Sequence, residues 1–162
     1  SVEWTFPDGA KGYDVVRYLP NCHAEFATYV HGSKRAAQFS GSVHAGTVRI
    51  YKDQRIAPDN ILWEAEKEPI TPWQAEWNVL LDAIRNDKPH NEAERAALAN
   101  LATIIGRAAV HSGKIIGWQE ALASNFQWCK DIDNLNADSP PPVTADQHGR
   151  YPVPVPGAWT EI

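Results

Sequence analysis

Three features predict an α+β fold, namely an open, largely antiparallel β-sheet with helices packed on one face and an extended Pro-rich C-terminal tail. Residues 2–65 alternate apolar and polar side chains with a period of two, whereas residues 71–113 place apolar side chains at the 3.6-residue period of a helix. Prolines then recur in Ser139-Pro140-Pro141-Pro142 and in Tyr151-Pro152-Val153-Pro154-Val155-Pro156-Gly157, runs of polyproline II character.

The strands come first. Val2, Trp4 and Phe6 alternate with Glu3 and Thr5, and Pro7-Asp8-Gly9 supplies the turn to a second run over residues 13–19, which together read as a hairpin. Residues 26–31 form a further run, turned by Gly32-Ser33-Lys34 toward residues 36–40. Residues 43–52 are the longest candidate strand and residues 60–65 another, so five or six strands are expected in one sheet, with helices on one of its faces.

The helices follow. Thr71 is an N-cap with Pro72 at the first helical position and Gln74 at the third, and Trp73, Trp77, Leu80, Leu81 and Ile84 form one apolar stripe, read as core. A second, longer helix opens at Asn91 with Glu94 three residues on. It buries Ala97, Leu98, Leu101, Ile104, Ile105 and Ala108, and stops at Gly113-Lys114. Gly106 costs about 1 kcal/mol inside a helix relative to Ala, and with Ala99, Ala102 and Ala109 it forms a small-residue surface suited to close helix packing. Residues 118–124 are a short third helix. Residues 1–126 therefore read as one sheet-plus-helices domain and 127–162 as a tail, for which two expectations stand side by side, disorder and packing on a neighbouring chain through Trp128, Tyr151 and Trp159.

Composition narrows the function classes. A chain of 162 residues holds one ordinary domain, for which the surface scaling leaves about 8,000 Å² exposed of roughly 26,000 Å². No apolar run approaches the roughly 18 residues of a membrane helix. Lys and Arg number 15 against 20 Asp and Glu, and residues 59–95 alone carry nine acidic and four basic groups. A nucleic-acid partner, which needs a basic face, is thus not expected. Cys22 and Cys129 lie far apart, without metal-ligand spacing, and read as idle or buried thiols. The chain contains no Met, and Ser1 leads directly into a strand, so the sequence reads as a processed or excised segment of something longer, with no basis for a cellular address.

The common catalytic and nucleotide motifs are absent from the sequence. Six histidines, at 23, 31, 44, 90, 111 and 148, place no two at i, i+4 on one helix, so no metal site is expected. His31 and His44 read as cross-strand packing partners, and His90 and His111 as loop and helix-end residues. Arg17 and Arg35 have the chemistry to clamp an anion but also that of sheet-face arginines, and Glu66, Glu68 and Glu76 do not form a convincing glycosidase pair. His23, in the Pro20-Asn21-Cys22-His23 corner, is a loop histidine.

Two stretches carry a family resemblance. Tyr29-Val30-His31-Gly32-Ser33-Lys34-Arg35-Ala36-Ala37 resembles the strand–turn–strand of the C-terminal domain of the Gfo/Idh/MocA oxidoreductases, the glucose-fructose oxidoreductase and inositol dehydrogenase family. Residues 83–92, followed by Ile105-Gly106-Arg107-Ala108-Ala109-Val110-His111-Ser112-Gly113-Lys114, are similar to that family's helix, Pro-containing loop, helix and Ser-Gly-Lys exit, and the tail resembles a bacterial subgroup ending in Pro-Val-Pro segments.

The resemblance implies the substrate-binding and oligomerisation half of an NAD- or NADP-dependent oxidoreductase acting on sugars or polyols. Its N-terminal Rossmann domain lies outside this sequence, so the chain alone binds no cofactor and is not catalytically competent. Glu66-Lys67-Glu68-Pro69 does not match the family's Glu-Lys-Pro, and no catalytic residue is assigned. Arg17, His23 and Lys34 are the expected substrate-side residues, and the open sheet face the expected homo-oligomer contact. A stand-alone carbohydrate- or protein-binding module without redox activity is the competing expectation.

Overall fold

A computed structural model describes residues 1–41 and 48–162. In chain order the elements are β1 (Val2–Thr5), β2 (Lys11–Asp14), β3 (Ala27–His31), β4 (Ala36–Gly41), β5 (Arg49–Tyr51), β6 (Ile61–Glu64), α1 (Pro72–Arg85), α2 (Ala93–Ser112) and α3 (Trp118–Ala123). The fold is α+β with every strand pair antiparallel, but the strands divide into a hairpin, β1-β2, and a four-stranded sheet, β3-β4-β5-β6. The expected single sheet is corrected accordingly. The chain forms two compact units, Ser1–Arg17 with Asn91–Ile162, and Tyr18–His90.

In the first unit, Gly9 at φ +85° closes the hairpin, with its N–H donating to the Phe6 carbonyl at 2.9 Å. The ladder ends at Val2–Asp14, so residues 15–19, expected in a strand, belong to no described strand, and Val15, Val16 and Tyr18 are exposed. Helix α2 packs on β1. Gly106 makes this possible, because a Cβ there would lie 2.8 Å from the Trp4 indole. The small-residue surface thus receives a strand's aromatic ring, not another helix. Ile105, Ala108 and Ser112 are buried, whereas Ala97, Leu98 and Ile104 are exposed, so only the later half of the expected buried face is covered. Gly113 ends α2 in the left-handed conformation, φ +69°, as its sequence position predicts. The last residues return to this end, where Gly157 N–H donates to the Ser112 carbonyl at 2.6 Å.

In the second unit, cross-strand register builds two rows. Val30, Ala37, Ile50 and Trp63 are successive direct partners across all four strands, and so are Tyr29, Gln38, Arg49 and Glu64 on the opposite face. The first row is apolar and exposed at Val30, Ile50 and Trp63. The second is hydrogen-bonded: Arg49 Nε donates to Glu64 Oε1 at 2.8 Å, and the buried Tyr51 hydroxyl donates to Gln38 Oε1 at 2.9 Å. The β5–β6 connection is pinned by the buried Asn60, whose amide donates to Asp53 Oδ1 and to the Arg55 carbonyl. Bonds from Arg55 N–H and Asn60 hold the Asp53 carboxyl below its ordinary value.

Helix α1 starts where its cap predicts, with Gln74 N–H donating to Thr71 Oγ1 at 3.2 Å, but Trp73 and Trp77 are more than half exposed instead of core. Periodicity specifies which side of a helix is apolar and leaves open what covers it. Residues 43–47 of the longest expected strand, His44 among them, lie outside the described residues; β5 occupies 49–51.

Candidate functional site

The three substrate-side candidates sit in different places. Arg17 closes the N-terminal part of the first unit, while His23 and Lys34 belong to the second. His23 Nε2 lies 3.7 Å from Glu25 Oε2, and Lys34 stands in the exposed turn between β3 and β4. In the chain, the whole of β3 lies between His23 and Lys34. Glu25 also accepts the Tyr29 hydroxyl at 2.6 Å, a bond that raises the phenol's pKa.

The tightest cluster of ionisable groups in the first unit lies elsewhere. Arg107 and His111 are one turn apart on α2, and both reach Glu161 near the end of the chain. Arg107 Nε donates to Glu161 Oε2 at 3.0 Å, and the Trp159 indole N–H donates to Oε1 at 2.7 Å. His111 Nδ1 lies 2.7 Å from the same Oε1. Glu161 itself is only 3% exposed. Burial pushes its carboxyl up, but the bonds from His111, Trp159 and Arg107 outweigh that and hold it below the ordinary carboxylate value. A carboxylate accepts and does not donate, so Nδ1–H of His111 is the donor in this contact.

Two cavities flank this cluster. One, about 450 Å³, is lined by Val2, Trp4, Val16 and Val110 together with Arg107 and His111. The other, about 240 Å³, is lined by Phe126, Trp128, Arg107 and Glu161. Phe126 meets Trp128 edge-on with ring centroids 5.5 Å apart, and Trp128 lies 6.1 Å from Trp159. The tail aromatics marked as anchors in the sequence thus include two, Trp128 and Trp159, that anchor the chain's own end.

No family model, curated protein or solved structure matches the chain. What the chain does is therefore read from its own geometry.

Chemically, the cluster offers a cation and an imidazole fixed from behind by a buried carboxylate. Among the described residues no group of three His, Cys, Asp or Glu side chains is placed to hold a metal, and no helix is long and apolar enough to cross a membrane. Cys22 is exposed and Cys129 half-buried, and both are free thiols. Sequence reading passed over His111 as a helix-end residue. The available signal was its i, i+4 spacing from Arg107, which puts both on one face. Glu161, fifty positions along in a proline-rich stretch, gave no local signal.

Proposed function

We propose that this chain is the substrate-binding and subunit-assembly part of a nicotinamide-dependent oxidoreductase acting on sugars or polyols, with the cofactor held by a Rossmann domain of the parent protein. The observation that carries the reading is the apolar row Val30–Ala37–Ile50–Trp63, which crosses the whole four-stranded sheet without a charge. A row of this kind is self-complementary across a two-fold axis, and a second copy is its partner. The two stretches that resemble the Gfo/Idh/MocA family support it: one forms the β3–β4 hairpin, and the other runs from the end of α1 into α2 and out through Gly113.

Light scattering on the chain, with Trp63→Glu as the control, tests the assembly half; self-association that the substitution abolishes supports it, and a chain monomeric at about 100 μM overturns it. Assay of the full-length protein for NAD- or NADP-dependent oxidation of a panel of sugars and polyols tests the redox half. Alanine at Arg17, His23 and Lys34, one at a time, then shows which raises KM. Saturable glycan binding by a monomer, with no nicotinamide turnover, establishes the stand-alone binding module in its place.

A further inference from the structure

We propose that the outer edge of β2, continued through residues 15–19, is a pairing surface for the same edge of a second copy of this chain, the two strands running antiparallel about a two-fold axis at Val15. The contact uses a different strand from the row on the four-stranded sheet and does not rest on the oxidoreductase reading.

Backbone alternation determines which groups the edge offers. Phe6 N–H donates to the Ala10 carbonyl at 3.0 Å, so Ala10, Gly12 and Asp14 turn their backbone groups toward β1, and Lys11 and Tyr13 turn theirs away from it. The chain continues past the last rung without a turn or a bend as far as Leu19, which leaves Val15 and Arg17 on the outward-facing parity. No hydrogen bond joins Val15, Val16 or Tyr18 to another described residue. Val15 and Val16 are 75% and 76% exposed, and Tyr13 and Tyr18 are exposed with them. Apolar strand edges in the open are ordinarily blunted by proline, bulges or lysine. Residues 11–19 contain no proline, and β2 keeps register with β1 over four consecutive pairs, whereas the β3–β4 and β5–β6 ladders both break register. The lysine of the stretch, Lys11, is drawn to Glu3 and Thr5 at 2.6 and 2.7 Å.

Parity and length select the register. Outward-facing residues must stand opposite one another, so the two position numbers of a pair sum to an even number. A sum of 30 uses the whole stretch between the turn at Ala10 and Pro20: Lys11 meets Leu19 of the second copy, Gly12 meets Tyr18, Tyr13 meets Arg17, Asp14 meets Val16, and Val15 meets its own copy. No like charges face each other in this register, Tyr13 offers its ring to the guanidinium, and two valines meet on the axis. The contact is isologous and closes on itself, so it makes pairs and not fibres. It also supports the hairpin. A two-stranded ribbon is marginal alone, and edge pairing turns two ribbons into one four-stranded sheet ordered β1-β2-β2-β1.

Covalent trapping reads the contact, because an edge pair of this size is weak without a second interface. In a chain carrying Cys22→Ser and Cys129→Ser, Val15→Cys sets a thiol on the axis, where hydrogen-bonded partners have Cα atoms about 5.5 Å apart and an unstrained disulfide forms. Val16→Cys sets its thiol diagonally from its copy, at about 7–8 Å, too far for such a bond. With glutathione disulfide and about 0.5 mM chain, the Val15→Cys variant is expected to form the disulfide dimer at least about ten-fold faster than the Val16→Cys variant. Adding Arg17→Pro to Val15→Cys removes an outward N–H and suppresses the dimer, whereas adding Val16→Pro removes an inward one and leaves it. These positions lie beyond the last rung, so the hairpin keeps its own bonds. Adding Trp63→Glu leaves the dimer in place, so failure of the sheet row and failure of this contact are read separately. Equal rates at positions 15 and 16, equal effects of the two prolines, or loss of the dimer with Trp63→Glu overturns the proposal.

Discussion

Glu161 is the residue on which the first unit is most dependent. Replacing a buried carboxylate that receives three donors with the isosteric amide, Glu161→Gln, is expected to cost about 1–3 kcal/mol, read as the shift of the urea midpoint at pH 7. The pH dependence has a definite sign. A carboxyl whose folded pKa is held below the unfolded value contributes stability that is complete above the ordinary carboxylate range and is lost as pH falls through the folded value. The native chain and Glu161→Gln should therefore differ most near neutrality and converge in acid, as urea titrations at a series of pH values will show. Gly106 is the second sensitive position. Gly106→Ala gains about 1 kcal/mol of helix propensity against a ring that must shift, while Gly106→Val has branches that cannot avoid Trp4 and should destabilise by about 1–3 kcal/mol in the same assay. Neither role was legible locally. The glycine's helical position was plain in the sequence, but its partner comes from a strand about a hundred residues earlier, and two of the acid's three partners, Arg107 and His111, lie about fifty residues before it.

Elements were legible where local chemistry decides them. Thr71-Pro72 fixed the start of α1 and Gly113 the end of α2, because capping and left-handed turns depend on a few neighbouring residues. Gly113 stands at φ +69° with a Cβ position 3.2 Å from the Pro156 side chain, so Gly113→Ala is strained in its backbone and crowded by the returning tail. A loss of about 1–2 kcal/mol by thermal or urea unfolding is expected. Other elements depended on partners that periodicity does not name. Residues 15–19 alternate like a strand but continue past the last rung of their ladder, and the tryptophans of α1 repeat like a core stripe but stay exposed. The division of the strands into a hairpin and a separate sheet has the same origin, since alternation marks strands without stating who pairs with whom.

At the scale of the whole molecule, large apolar side chains are exposed within the second unit, including Val30, Ile50 and Trp63 on the sheet and Trp73, Trp77 and Ile84 on α1. Length and composition predicted a sufficient core, yet the buried hydrophobic residues include four alanines, and composition does not reveal how apolar residues are distributed between inside and outside. If copies meet through the uncharged row of the sheet, raising salt from about 0.05 to about 0.5 M should change the association constant by less than about two-fold in sedimentation equilibrium, whereas contacts between charges would weaken markedly. The arrangement of the units also orders events during synthesis. The stretch from Tyr18 to His90 is continuous and contains the partners of all its described strands, whereas β1 and β2 emerge well before the α2 they pack against. At about 5–20 residues per second they wait roughly 5–20 s for the helix that covers Trp4, and the exposure to chaperones during that interval falls on Ser1–Arg17.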